Sequence, residues 1–241
     1  MTAARLTGFL LALALVLLAL SGAVSAIAGN GDLLAGEMLR HAPPAATALP
    51  AAEYPGVGRM ITAYLTGKEP VFQYSFESGG SSYLCFQAHE AAHMADCRAL
   101  IGTARVLCPV LGGLSLALAG AGCLLRKHRR SFGTGLLAGA LAAAGAGLLL
   151  LAWGAADFDG LFTTFHRIAF TNDGWLLDPR TDLLIRLMPT GLFVYLGLRV
   201  LLPAAAAAAA AGIAGALLRR AGKNGHGTVP GPARPEKNGE A

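Results

Sequence analysis

The chain has 241 residues, of which 54% are hydrophobic and only 14% are charged. Soluble globular domains carry about 25% charged residues, so this composition excludes an ordinary soluble protein and indicates a membrane protein. The formal net charge of +5 is therefore no signal of nucleic-acid binding, and we expect no nucleic-acid partner.

Four segments are apolar and long enough to cross a bilayer, which takes about 20 residues as a helix. In the first, small residues after a leucine-rich run imitate a signal-peptide cleavage site, but the uncharged run is long enough to span and we expect an uncleaved anchor. The predicted segments are 1–28, first transmembrane helix; 29–104, extracytoplasmic cap; 105–125, second helix; 126–132, basic cytoplasmic loop; 133–155, third helix; 156–188, extracytoplasmic loop; 189–218, fourth helix; and 219–241, disordered cytoplasmic tail.

Basic residues set the expected orientation. The run from Arg126 to Arg130 joins the second and third helices, and Arg219 and Arg220 follow the fourth. Of the 14 acidic residues, only Glu236 and Glu240 fall on the same side. Because loops rich in Lys and Arg stay in the cytoplasm, we expect both termini to be cytoplasmic. The cap and the second outer loop then face outward.

The cap is expected to mix helix and strand. Residues 57–66 have apolar side chains at helical spacing, and residues 71–76 and 83–86 flank a Gly-Gly pair as the strands of a β-hairpin do. Residues 87–103 are predicted to form a helix that runs into the second transmembrane helix. The proline-containing stretch before residue 57 is expected to be irregular.

The third transmembrane helix has small residues at intervals of four, at Gly135, Gly139, Ala143 and Gly147. Such a strip lets helices approach closely inside a membrane. We therefore predict an α-helical membrane protein, a four-transmembrane-helix bundle with a small mixed α/β extracytoplasmic cap.

Two stretches predicted at the outer surface carry candidate sites. The second outer loop contains the pattern FHxxxFxND, which begins at Phe165, and ionisable groups held at a membrane boundary usually have a function. In the cap, residues 89–93 spell His-Glu-x-x-His. On a helix this spacing suits a zinc site with Glu90 activating water, and His166, Asp157 or Asp159 would supply a third ligand. A membrane zinc metallopeptidase is therefore one alternative, and a non-catalytic membrane scaffold is another.

Two further features leave alternatives open. Arg199 is a charge inside the predicted fourth helix, and it either extends to the outer interface or points into the bundle near the outer site. Cys85 and Cys97 are both predicted to lie outside, where an oxidising environment permits a disulfide. The sequence does not fix the geometry of that pair.

The two outer stretches together resemble the lipoprotein intramolecular transacylase (Lit) family of bacterial integral membrane proteins. The resemblance rests on His93-Met94-Ala95-Asp96 and on Phe165-His166, Phe170, Asn172-Asp173, Trp175, Leu177-Asp178-Pro179, Thr181-Asp182 and Leu184-Ile185. The chain departs from the family pattern at Thr190, where an acidic residue is common, and at Cys97, where an aliphatic residue is usual.

The resemblance implies an acyltransferase in the bacterial cytoplasmic membrane, with its active site facing outward. It would move the sn-2 acyl chain of a diacylglyceryl-modified lipoprotein to the amine of that lipoprotein's N-terminal cysteine and give the lyso form. The expected partners are such lipoproteins and membrane lipid, and no cofactor or metal is expected. His93 and His166 are the expected catalytic residues, as base and acid in either order. Supporting or substrate-binding roles are expected for Asp96, Asn172, Asp173, Trp175 and Arg199.

Overall fold

Helices make up most of the protein, as the composition predicts. A computed structural model describes residues 2–221. In chain order the helices are α1 (Ala3–Ala28), α2 (Gly31–His41), α3 (Pro44–Thr47), α4 (Tyr54–Leu65), α5 (Ala88–Leu124), α6 (Arg129–Ala156), α7 (Phe158–Ala169), α8 (Leu183–Leu187) and α9 (Thr190–Ala221), and one antiparallel pair of strands, β1 (Ser75–Ser78) and β2 (Ser81–Leu84), lies before α5. Short 3-10 turns cover Ala51–Glu53 and Arg126–His128.

Four of these helices, α1, α5, α6 and α9, are long and apolar enough to cross a membrane. The fold class is confirmed: a four-helix membrane bundle carries a small cap that contains both helix and strand. Helix α9 continues three residues beyond the predicted fourth span, to Ala221. The rest of the predicted tail, residues 222–241, lies outside the described part of the chain.

Close packing in the bundle uses half of the predicted strip of small residues. Gly135 and Gly139 are buried against α1, and a Cβ added at Gly139 would meet the Phe9 carbonyl oxygen at 2.6 Å. A Cβ added at Gly147 would meet no atom within 4 Å. The strip therefore brings α6 onto α1 near its first turns, and this contact does not extend to Gly147.

The first part of the cap is helical, so the expectation of an irregular stretch is wrong. Asn30 caps α2 by accepting a hydrogen bond from the Leu33 amide at 3.0 Å, and Asp32 lies in the first turn, where an acidic side chain is favourable. The prolines flank the helices rather than interrupt them. Pro43 follows α2, and Pro55 lies in the first turn of α4, where proline is tolerated.

The predicted hairpin is present but shorter than expected. Ser75 pairs with Leu84, and the turn is made by Gly79 and Gly80, whose φ angles are +58° and +78°. Before β1, Gln73 replaces backbone pairing with its side-chain amide, which bonds the Phe86 carbonyl oxygen at 2.7 Å and the Phe86 amide at 3.1 Å. At Gln73, within the first predicted strand, a side-chain contact therefore takes the place of backbone pairing.

The core of the cap connects it to the bundle. Met38 of α2, Tyr54 and Ile61 of α4, Leu187 of α8 and Leu192 of α9 are nearly inaccessible and belong to one hydrophobic cluster. Burial of each such side chain contributes about 1.5–3 kcal/mol. The cap is thus held to the start of α9. All four cysteines are free thiols, so the Cys85–Cys97 pair is not bridged.

Candidate active site

Two buried histidines from distant parts of the chain face each other between the cap and the bundle. His93 lies in the second turn of α5 and His166 in the last turn of α7, and their ring centroids are 6.0 Å apart. They retain only 8% and 7% of their accessible surface. The structure therefore brings together the two residues expected to be catalytic, although His166 lies on a helix where a loop was expected.

His166 is fixed in one orientation. Its Nδ1 lies 2.8 Å from the Phe162 carbonyl oxygen, one turn earlier in α7. A carbonyl oxygen only accepts, so Nδ1 carries the proton, and the neutral ring has its lone pair on Nε2. Aromatic rings surround it: Phe162, Phe165, Phe170 and Trp175 have centroids 4.1, 5.3, 5.5 and 5.1 Å from the imidazole.

His93 has an unpaired nitrogen. Its Nε2 lies 3.5 Å from the Cys97 sulfur, whereas its buried Nδ1 has no hydrogen-bond partner among the described residues. The ring also packs edge-on against Phe170, with 5.2 Å between centroids. A buried polar atom without a partner is costly, so Nδ1 is the atom of this cluster best suited to form a hydrogen bond with a bound substrate.

Burial lowers the pKa of both histidines below the ordinary value of 6.5. For His93, repulsion by a charged His166 lowers the pKa further, and the carboxylate of Asp96 opposes this. For His166, the bond to the Phe162 carbonyl partly offsets the effect of burial on the pKa. Because each imidazolium disfavours the other, the pair carries at most one positive charge. Such a pair is suited to moving a proton between two groups of one substrate.

The two halves of the site are tied together by Asp96 and Asn172. The Asn172 side-chain amide donates to the Asp96 carboxylate at 2.9 Å, and its carbonyl oxygen accepts from the Gly174 amide at 2.9 Å. Asp96 therefore holds the turn that follows α7 rather than bonding His93. This link aligns the α5 and α7 histidines across 76 positions of sequence.

The family model described as lipoprotein intramolecular transacylase Lit matches residues 9–193, which include both histidines and the Asp96–Asn172 link. The chain belongs to the Lit family. It is therefore an enzyme of the acyltransferase class, a lipoprotein intramolecular transacylase by family, and the zinc metallopeptidase alternative is not favoured.

Solved Lit structures share the fold. The membrane integral lipoprotein intramolecular transacylase Lit from Bacillus cereus superposes with a TM-score of 0.70 at 18% identity, covering 92% of this chain and 98% of that one. Two variants of the Bacillus cereus protein, in which one histidine is replaced by arginine or alanine, superpose with TM-scores of 0.65 and 0.64 at 16% and 18% identity, covering 92% and 93% of this chain and 95% and 96% of theirs. No curated protein matches this chain by sequence.

In this Lit-family chain, His89 and Glu90 of the His-Glu-x-x-His stretch contact residues outside the histidine pair. His89 Nε2 lies 2.9 Å from a carboxylate oxygen of Asp182. Glu90 is fully buried, and its two oxygens accept from the Gln87 and Leu184 amides at 2.7 Å each. No group of three or more potential ligands suited to a metal ion occurs within residues 2–221. Glu90 is a cap for two helices, and its carboxylate oxygens are already occupied.

The remaining predicted site residues are Trp175, Asp173 and Arg199. Trp175 contacts His166, as given above, and so belongs to the cluster. Asp173 is exposed, and its backbone carbonyl oxygen accepts from the Leu176 amide at 3.0 Å. Arg199 is exposed on α9, with its guanidinium carbon 5.2 Å from the Tyr195 ring centroid.

Sequence reasoning missed Phe162, and it missed the structural roles of Glu90 and Asp182. Phe162 supplies both the ring and the carbonyl nearest to His166; its i, i+4 spacing from Phe158 and His166 is a helical signal that indicates one face of α7. Glu90 and Asp182 are nearly inaccessible carboxylates, with 0% and 2% exposure. Each has one partner close in sequence, the Gln87 amide for Glu90 and the Asp178 amide for Asp182. Their contacts with Leu184 and His89 join residues remote in sequence, and no local pattern reveals those.

Proposed function

We propose that the substrate of this Lit-family enzyme is a diacylglyceryl-modified lipoprotein, and that its sn-2 acyl chain moves to its own N-terminal amine. The amine nitrogen attacks the ester carbonyl, a C–N bond forms, and the C–O bond to the glyceryl oxygen breaks. The products are an amide and a glyceryl hydroxyl within one molecule, the lyso form. The observation that carries this proposal is the buried pair of imidazoles at 6.0 Å.

Starting from the protonated amine, the reaction removes two protons from the nitrogen and delivers one to the glyceryl oxygen. The α-amine has a reference pKa of about 7.7–8.0, so it arrives mostly protonated near pH 7 and must lose a proton before it attacks. The glyceryl oxygen leaves only when it gains a proton. The lowered pKa values of both histidines favour neutral imidazoles at that pH. The first proton leaves the amine before the attack and passes to solvent. One ring then takes the second proton from the nitrogen of the tetrahedral intermediate and delivers it to the leaving oxygen.

The tautomers suggest which ring does which. His166 donates Nδ1–H to the Phe162 carbonyl, so its Nε2 lone pair is the defined base and we assign it the amine proton. His93 then orients the leaving oxygen through its unpaired Nδ1, and the proton held by His166 passes to that oxygen.

The surrounding residues support the transfer in three ways. The rings of Phe162, Phe170 and Trp175 keep water from the ester, since hydrolysis would release a fatty acid instead of moving it. Asp96 and Asn172 keep the two helices aligned. Asp173 and Arg199, both exposed, are proposed to contact the substrate's peptide and glyceryl portions before they enter the cluster.

We further propose that the site faces outward in the bacterial cytoplasmic membrane, with both termini in the cytoplasm and acyl chains lying in surrounding membrane lipid. The support is the separation of charge along the bundle. The basic residues from Lys127 to Arg130 and at Arg219 and Arg220 share the end opposite the histidine pair, and this asymmetry is typical of cytoplasmic loops.

The decisive experiment is mass spectrometry of the N-terminal peptide of an abundant lipoprotein. It is made in a host that lacks other N-acylating enzymes, with this gene expressed as wild type, His93→Ala, His166→Ala or His89→Ala. An N-acyl, S-monoacylglyceryl peptide is expected with wild type and with His89→Ala, and not with the other two variants. A peptide that stays diacylated with a free amine, despite good expression of the wild-type enzyme, would overturn the proposal.

A further inference from the structure

The end of the bundle opposite the histidine pair, here called the basic end, concentrates positive charge. Arg5 lies in the first turn of α1, and Arg219 and Arg220 lie in the last turn of α9. Lys127 and His128 belong to the turn before α6, and Arg129 and Arg130 are the first residues of α6. Within the described segments 2–7, 125–134 and 216–221, the chain has no acidic residue. These cations therefore have no carboxylate partner in the described part of this end.

Two neighbouring cavities at the basic end share one arginine. The first has a volume of about 270 Å³ and is lined by Arg130, Ala216, Arg219 and Arg220. The second has a volume of about 330 Å³ and is lined by Arg5, Lys127, His128, Arg130, Ser131 and Thr134. Arg130 thus lies between two recesses whose other charged walls come from two helices, α1 and α9, and from the turn before α6.

Polar contacts hold these walls in position. The Thr2 and Ser131 hydroxyls are 3.1 Å apart and join the start of α1 to α6. Arg129 donates from Nη2 to the Ala221 carbonyl oxygen at 3.0 Å and joins α6 to the end of α9. The cavities are therefore features of helix packing, and the cations that line them are positioned by three elements that contact one another.

We propose that these two cavities bind the phosphate-bearing headgroup of an anionic phospholipid. Arginine presents a fixed fork of donors that matches phosphate oxygens, and lysine adds a point charge. Basic recesses between transmembrane helices are suited to lipid phosphates. The acyl chains would lie along the apolar helix surface beside the cavities, where Leu124 and Leu217 are 88% and 57% exposed.

The topology of the chain alone does not require this arrangement. Orientation in the membrane depends on how many Lys and Arg residues lie near the helix ends, and scattered cations serve it as well. Here five Lys and Arg side chains, from α1, the turn before α6, α6 itself and α9, line the two recesses. A soluble phosphate would gain the same charge contacts but none of the apolar surface, so a lipid is the occupant that uses both.

The test measures lipid binding to the purified protein in a neutral detergent by native mass spectrometry and thermal unfolding. Phosphatidylglycerol is titrated against phosphatidylcholine, with sn-glycerol 3-phosphate as the soluble arm. The site variant is Lys127→Gln with Arg130→Gln, and the matched control is Lys68→Gln with Arg180→Gln, two exposed cations in the cap and the second outer loop. Single Lys127→Gln is the milder second variant.

Each basic residue near a lipid surface changes affinity by about fivefold, so the site double variant should bind phosphatidylglycerol about 30-fold more weakly. The control should bind like wild type, and the single variant should fall between them. Equal binding of the two lipids, or equal affinity of site variant and wild type for phosphatidylglycerol, would overturn the proposal. Equal thermal stabilisation by sn-glycerol 3-phosphate would also overturn it, since a soluble phosphate ester would then suffice.

Discussion

Replacing Glu90 tests whether the acidic residue of the His-Glu-x-x-His stretch is structural or catalytic. Its side chain is fully buried, and each oxygen accepts one backbone amide at 2.7 Å, from Gln87 at the start of α5 and from Leu184 in α8. A hydrogen bond to a charged acceptor contributes about 1.5–3 kcal/mol. Glu90→Gln keeps one carbonyl oxygen and turns an NH₂ group toward the other amide.

Glu90→Gln should therefore lose one such bond, about 2 kcal/mol. In a protein of this size a change of 1 kcal/mol moves Tm by about 2–4 °C, so we expect a decrease of about 4–8 °C. Glu90→Ala loses both bonds and leaves two buried donors, and it should lower Tm about twice as far. Glu77→Gln, on an exposed strand position, is the control and should unfold like wild type.

The assay is thermal unfolding in detergent alongside conversion of the lipoprotein at a temperature where each variant is folded. Under those conditions Glu90→Gln should still produce the lyso form, at a reduced rate because α8 and α5 are less firmly joined. If Glu90→Gln unfolded like wild type yet produced no lyso form, the structural reasoning would be wrong. That result would assign the carboxylate to the chemistry.

The other predictions concern the histidine pair and its neighbours. Because the pKa values of His93 and His166 are lowered from 6.5 by burial, their neutral forms persist as pH falls; the single-turnover rate should drop by half only below pH 6.5, and a midpoint at or above 7 would contradict this. Asn172→Ala should slow conversion about fivefold, the equivalent of one bond of about 1 kcal/mol, and Asn172→Asp should slow it more because it places a second carboxylate against Asp96. Since burial raises the pKa of Cys97 to about 12, iodoacetamide at neutral pH should leave activity intact and the intact-mass spectrum should show no label at that residue. Prolonged dialysis against EDTA should not change the conversion rate, whereas a zinc enzyme would lose it.

The bundle was predictable because membrane crossing is a local property. A run of about 20 apolar residues satisfies its own backbone hydrogen bonds as a helix in lipid, whatever the rest of the chain does. The chain from residue 88 to 124 is likewise helical from its local sequence, and it forms one helix through the cap and the membrane. The strip of small residues in α6 was only half informative, since whether Gly147 meets a partner depends on where α1 lies.

The cap was less predictable because its elements are short and depend on one another. Helix α2 buries Met38 against α4 and α8, and eleven residues alone make a marginal helix in water. The prolines before residue 57 indicated irregular structure, although each of them lies at a helix boundary. The polar motif begins in the last turn of α7, where a loop was expected. The helical spacing of this segment lies earlier, at Phe158 and Phe162.

The candidate site divides in the same way. The two histidines were named as catalytic by the resemblance to the Lit family, and imidazole suits proton transfer because it titrates near neutral pH. Their partners were not accessible to the same reasoning. The Glu90–Leu184 contact spans 94 positions and the Asp96–Asn172 contact spans 76, so nothing in either local sequence indicates the other half.

The His-Glu-x-x-His stretch illustrates why a short pattern underdetermines chemistry. Three functional side chains on adjacent turns of one helix contact three different elements: His89 meets Asp182, Glu90 bonds the Leu184 amide in α8, and His93 faces His166. A zinc site would need His89 and His93 to converge on one ion with Glu90 free beside it. Here the carboxylate oxygens are both bonded and the histidines are committed to separate partners. The pattern therefore describes a helix that anchors the second outer segment with its first turn and presents one imidazole to the site with its second.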